Sequence, residues 1–206
     1  MKTKQILAAA LLAGMFTATG LTSHAQKGLG INAGVNFANI TGKDVDDDAK
    51  IKTGFQAGIT YDIGLADEFV IQPGISYVQN GTKGGGWIED VGNNPKLHLD
   101  YIQVPVTFQY QPEVGTGKVL LGVGPYIGFG VGQVKLSNDD GSLKYDWDDV
   151  DLKKVDAGGK LLVGYQFGNG LSANLSANMG MVKLADTDDP ARAYNTSFGI
   201  TLGYKF

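Results

Sequence analysis

YNTSFGITLGYKF, residues 194–206, reads as a strand with two unlike faces. Its even positions are Tyr194, Thr196, Phe198, Ile200, Leu202, Tyr204 and Phe206, and its odd positions are Asn195, Ser197, Gly199, Thr201, Gly203 and Lys205. Successive side chains of a strand point to opposite faces, so one face is apolar and the other small and polar.

The same alternation runs back through the chain. GLGINAGVNFA (28–38) sets Leu29, Ile31, Val35 and Phe37 against Gly30, Asn32, Gly34 and Asn36. IKTGFQAGITYDI (51–63) sets Phe55, Ile59 and Tyr61 against Lys52, Gly54, Gln56 and Thr60. Phe69, Ile71, Ile75 and Tyr77 alternate with Gln72, Gly74 and Ser76, and YIQVPVTFQY (101–110) repeats the pattern. VLLGVGPYIGFGVGQV (119–134), VDAGGKLLVGYQF (155–167) and LSANLSANMGMV (171–182) complete a set of eight strands with no convincing helix. Pro73, Pro105 and Pro125 fall inside strands, where each removes a ladder donor. Leu97, Leu99 and Tyr101 break the parity of their strand, which predicts a bulge near Tyr101. The connections GLADE, QPEVGTG and GNG are short, whereas those near 39–50, 80–97, 137–153 and 184–193 are longer and carry most of the charge. Short turns at one end and long loops at the other describe an up-and-down meander, and eight strands can close on themselves.

Lys2 and Lys4, the apolar run 6–16 and the small residues of SHA (23–25) read as a secretory signal peptide over 1–25, leaving one barrel domain over 26–206. The chain has no cysteine, which removes thiol chemistry and thiolate metal sites. It has no apolar run of the ~20 residues that a transmembrane helix needs, so a soluble exported protein is the default to be beaten. A net charge of −4 argues against nucleic acid as a partner. Thirty-one glycines in 206 residues are about twice the usual share, without a collagen period.

Two inside-out barrels fit eight such strands. A soluble, lipocalin-like barrel hides its apolar face around a ligand and shows charged residues to water. A membrane barrel turns the apolar face to lipid and fills a narrow lumen with the polar one. The polar face here is Gly, Asn, Ser, Thr and Gln, which suits a crowded lumen better than a water-facing surface. Tyr61, Phe69, Tyr110, Tyr165, Phe167, Tyr204 and Phe206 gather near the short turns, as in an interfacial aromatic girdle. The expected fold is all-β, an eight-stranded antiparallel up-and-down transmembrane β-barrel.

YIQVPVTFQY, GVGPYIGFG (122–130), VDAGGKLLVGYQF and the terminal GITLGYKF occur in an order that resembles the small porin-family (PorT-like) outer membrane β-barrel domains of Gram-negative bacteria. That resemblance covers the whole chain after the signal and implies an outer membrane location with both termini periplasmic. It implies no cofactor, and as partners it implies membrane lipids and lipopolysaccharide, with the barrel-assembly machinery and periplasmic chaperones during biogenesis. It further implies that Phe198, Ile200, Leu202, Tyr204 and Phe206 form the insertion signal. SANMGMVKL (176–184) departs from the pattern, lacking an Arg-Tyr before its glycine.

Candidate chemistry is sparse. His98 with Asp100 two residues away on the same face is too little for a catalytic constellation, so no enzyme is expected. DVDDDA (44–49) places Asp44, Asp46 and Asp48 at alternate positions, but Ala49 and Phe55 stand where a calcium loop needs glycine and glutamate. Asp146, Asp148 and Asp149 cluster in NDDGSLKYDWDDVD, a second acidic loop. Both loops read as solvated, with low-affinity divalent bridging as the sharper alternative. Tyr145 and Trp147 interleave with the acids of that second loop and Trp87 lies on another long loop, near 80–97, where aromatics grip partners or pack at the lipid interface. Asp156 and Lys160 face the lumen roughly 13 Å apart along one strand, so each must seek a partner across the barrel. The expected role is structural or surface interaction through the long acidic loops, toward an extracellular partner the sequence does not identify, with a lumen plugged by side chains. A narrow channel along the glycine-rich strand 122–132 is the alternative, and a soluble ligand-binding barrel a further one.

Overall fold

Alternation needs a partner strand on each side, and in a ring every strand has both. In a computed structural model, residues 28–42, 50–84, 95–139, 141–150, 152–184 and 193–206 are described. They form strands β1 (Leu29–Thr41), β2 (Lys52–Tyr61), β3 (Ile63–Ala66), β4 (Phe69–Lys83), β5 (Lys96–Tyr110), β6 (Glu113–Val114), β7 (Gly117–Ser137), β8 (Ser142–Tyr145), β9 (Val155–Gln166), β10 (Leu171–Gly180) and β11 (Tyr194–Lys205). The sheet runs β2-β1-β11-β10-β9-β7-β5-β4-β3, and pairing of β2 with β4 closes it. β2 and β3 are one stave interrupted at Asp62, since both pair with β4. Eight antiparallel staves therefore make a closed barrel, with β6 and β8 as appendages of β7. The signal peptide expected over 1–25, Trp87 and the acidic triplet Asp44, Asp46 and Asp48 lie outside the described residues.

The two faces are placed as a membrane requires. Leu202 is 70% exposed and Phe198 44%, whereas Ser197 is 4% and Thr201 8% exposed. Phe55, Ile59, Leu121, Val123, Leu161, Val163 and Leu175 likewise point outward, while Asn36, Gln56, Gln103, Gln109 and Asn178 are buried. Removing one such Leu, Ile or Phe from water is worth about 1.5–3 kcal/mol, so this exterior is stable only against lipid. The soluble ligand-binding alternative falls on that inversion.

At the short-turn end the outward aromatics cluster as the sequence suggested. Phe69 stacks on Tyr110 with ring centroids 5.0 Å apart, Tyr165 meets Phe167 at 5.0 Å and Tyr204 meets Phe206 at 5.1 Å. The amide of Phe206 donates to the Leu29 carbonyl at 2.9 Å, which puts the end of β11 beside the start of β1.

The three prolines sit within the wall. The β4–β5 ladder pairs Pro73 with Val106 and resumes at Ser76 with Gln103 in the same register. The β5–β7 ladder pauses between Pro105 opposite Tyr126 and Phe108 opposite Val123. Missing donors thus cost individual ladder bonds without moving the register. The bulge expected near Tyr101 proves to belong to the neighbouring strand. β5 stays continuous against β4 through Asp100, Leu99 and His98, whereas against β7 the register shifts between His98 (opposite Lys135) and Asp100 (opposite Val131). The extra residues are on β7 around Gly132, whose φ of 65° is the left-handed value glycine favours. Leu97, Leu99 and Tyr101 therefore keep their parity and are buried on the inner side.

Candidate functional site

Inward side chains fill the barrel in three storeys. The first, at the long-loop end, is apolar. Trp147 opens the 3-10 turn Trp147–Val150 and is 2% exposed. Its ring meets Tyr101 edge-on at 5.4 Å, and its Nε1 donates to the Gly132 carbonyl at 3.1 Å. Ile40, Leu97, Leu99, Val134, Leu184 and Ala193 complete the cluster. Position 130 must be glycine for this packing, because a Cβ there would stand 2.6 Å from Trp147 Cζ2. Trp147 is thus no exposed loop aromatic, contrary to the sequence reading.

The second storey is a belt of amides around one carboxylate. Asp156 is 2% exposed and its Oδ2 accepts from Tyr126 Oη at 3.1 Å and from Asn195 Nδ2 at 3.4 Å. Asn195 also donates to Tyr101 Oη at 3.3 Å, tying this belt to the apolar storey. Asn36 Nδ2 donates to Asn80 Oδ1 at 3.0 Å, and buried Lys52 donates to the Asn80 carbonyl at 2.9 Å. The third storey, at the short-turn end, is built on the ion pair of Lys205 with Asp62. Gln72 donates to Asp62 at 2.6 Å and Gln111 at 3.3 Å, and Gln109 links to Gln72 at 2.8 Å and to Thr107 at 3.0 Å.

Between the belt and the short-turn end lies a cavity of about 70 Å³, bordered by Gln56, Ser76, Lys160, Asn174, Ser176 and Thr201 among others. That volume holds a few waters. Lys160, expected to find a partner across the barrel, makes no ion pair or hydrogen bond to a side chain among the described residues. Gln56 is 4% exposed, and its Nε2 also lacks a partner. It reaches across β1 to β11, where a Cβ at Gly199 would collide with that nitrogen.

Gly132 has open space where a Cβ would stand, but the other glycines of 122–132 are not gaps. Gly122 is covered by Gln109 and Leu162, Gly128 by Gln103, Tyr101 and Asp156, and Gly130 by Trp147.

Outside the lumen, Asp146, Asp148 and Asp149 are exposed around the 3-10 turn. Asp146 accepts from Gln133 at 3.2 Å, and Asp148 pairs with Lys154 at 3.1 Å. No group of three or more metal-binding side chains occurs among the described residues. His98 contacts Ser137 Oγ at 3.1 Å, a neighbour 39 residues away that sequence spacing could not supply. No hydrogen bond joins His98 to Asp100 among the described residues, so a serine–histidine–carboxylate relay is not assembled. Phe198, Ile200, Leu202 and Tyr204 line the outer face of β11, with Phe206 just beyond it. Sequence reasoning also missed the Asp62–Lys205 pair. Parity puts both inward near the short turns, but only the closure of β2, β1 and β11 brings them together.

A model of the family described as the outer membrane protein beta-barrel domain matches residues 8–206. Among solved structures the chain is similar to Ail, the attachment invasion locus protein of Yersinia pestis, with 17% identity, 88% of this chain and 100% of that one covered, and a TM-score of 0.45. It is similar to Neisserial surface protein A, with 11% identity, coverage of 86% and 97%, and a TM-score of 0.49. It is also similar to OprG of Pseudomonas aeruginosa, with 15% identity, coverage of 89% and 98%, and a TM-score of 0.44. A search of the curated proteins finds no match.

Proposed function

The chain belongs to the outer membrane protein β-barrel domain family, and from that premise we propose that it is a non-conducting structural or surface-interaction barrel of the PorT-like kind. It sits in the outer membrane. In this reading the long-loop end faces outward, the short turns and both termini face the periplasm, and the lumen is plugged. The observation that carries the proposal is Trp147, which a long loop folds into the barrel mouth against Gly130 and over Tyr101. An apolar storey there supports a lumen closed to ions. The covered glycines of β7 weigh the same way against the narrow channel.

Function then lies with the loops. Asp146, Asp148 and Asp149 give the outer surface an acidic patch, suited to a cationic partner or to low-affinity divalent bridges toward lipopolysaccharide. No catalytic role is assigned, because among the described residues His98 contacts Ser137 but makes no hydrogen bond to a carboxylate. The β11 residues Phe198, Ile200, Leu202, Tyr204 and Phe206 would be read by the barrel-assembly machinery.

Single-channel recording of the refolded barrel in a planar bilayer tests the plug. Folded protein that carries no current supports the reading. Discrete steps would overturn it and restore the channel, with Asp156 and Lys160 as the charges to vary for selectivity.

A further inference from the structure

The cavity beside Lys160 has an unbalanced charge. Its border carries two ammonium groups, Lys160 and Lys205, and no carboxylate. Lys205 is neutralised by Asp62 below the cavity. Asp156 lies in the storey above, held by Tyr126 and Asn195. Among the described residues Lys160 is left with no counter-charge, inside the lumen below the belt. A charge in such a place is costly unless a partner meets it.

A second donor points to what the partner is. Gln56 borders the same cavity, is 4% exposed, and has an unpartnered Nε2. The glycine at position 199 makes the room that this side chain needs to cross the lumen. Ser76, Ser176 and Thr201 add hydroxyls on the border that can turn to donate. A cation, an amide donor and rotatable hydroxyls, beside the unpartnered acceptor Asn174 Oδ1, border about 70 Å³ of free space, room for a small anion and not for a bulky one. Gly30, Tyr204 and Lys205 bring the cavity to the short-turn end, which gives an entry route.

We propose that the lumen holds a small monovalent anion, of chloride size, between the Lys160 ammonium and Gln56 Nε2. The site is independent of whether the barrel conducts, since it needs access from the short-turn end alone.

The test uses bromide as probe. Crystals of the folded barrel soaked in bromide should show an anomalous peak within hydrogen-bonding distance of Lys160 Nζ, and Lys160→Met should lose it. Waters alone around Lys160 in the wild type would overturn the proposal. In solution, the thermal midpoint of the wild type should be higher in sodium bromide than in sodium gluconate at equal ionic strength. Equal midpoints in the two salts would likewise overturn it, and this comparison needs no variant. Gln56→Leu, which keeps the lysine, should reduce the bromide effect; an undiminished effect would remove Gln56 from the site.

Discussion

At the residue scale the barrel inverts the usual penalties, because its solvent outside is lipid and its inside is polar. Ile200, 46% exposed midway along β11, faces the hydrocarbon. Ile200→Lys should destabilise the folded barrel by about 2–4 kcal/mol, the cost of a lysine at the bilayer midplane, read by urea unfolding in lipid vesicles. Ser197, on the opposite face of the same strand, should tolerate Thr at far lower cost in the same assay. Gly199 gives a sharper test of the interior. A side chain there meets Gln56 Nε2, so Gly199→Val should cost about 1–3 kcal/mol by overpacking. Adding Gln56→Ala should recover most of that loss, and no recovery would mean the two positions do not meet. Parity alone told which face Gln56 and Gly199 are on. It could not tell that one reaches over the other, since that contact depends on the stagger between β2, β1 and β11.

At the element scale the strands were legible and the loops were not. Eight runs of alternating residues, bounded by short glycine-rich turns, can be read without a structure because period two is a local property. The loop 138–154 carries no such period. Trp147 looks like a surface aromatic in DWDDVD, and only the seat at Gly130, on a strand seventeen positions earlier, shows that it is buried. Trp147→Ala should therefore leave the staves intact, judged by heat-modifiable gel mobility. It should also speed limited proteolysis within 138–154 several-fold; an unchanged cleavage rate would mean the loop is held elsewhere. The misplaced bulge has a similar origin. Leu97, Leu99 and Tyr101 change chemical character without changing face, because the long-loop end of the lumen is apolar while the rest is polar. Hydrophobicity marks face along most of the barrel, and at that end it marks height instead. Asp62 and Lys205 mark the opposite end: Asp62→Ala strands the Lys205 ammonium and should cost about 3 kcal/mol, as for a broken buried pair, in the same urea unfolding assay.

At the scale of the whole molecule, the barrel is apolar at its long-loop mouth, polar in the middle and charged near the short turns. If the long loops face outward, trypsin added to intact cells should cut within 138–154, at Lys144, Lys153 or Lys154, and spare Lys118 beside the short turn 111–117; cutting at Lys118 with 138–154 spared would invert the orientation. Lumen polarity and apolar exterior follow from the alternation of side-chain types, which is why the membrane is legible in the sequence. The fate of Lys160 was not, since a missing partner is visible only once every neighbour is in place.

The closing seam has a consequence for timing. Gly30 pairs with Lys205 and Thr41 with Tyr194, so the first stave made waits for the last. Until the twelve residues of β11 arrive, β1 and β10 are raw edges of an open half-pipe, each able to zip onto another copy. Delay is built into the topology, because contacts this distant in the chain form slowly. An unfinished chain keeps both edges bare for as long as its clasp is missing, and the length of that exposure is fixed by where in the sequence the clasp is encoded.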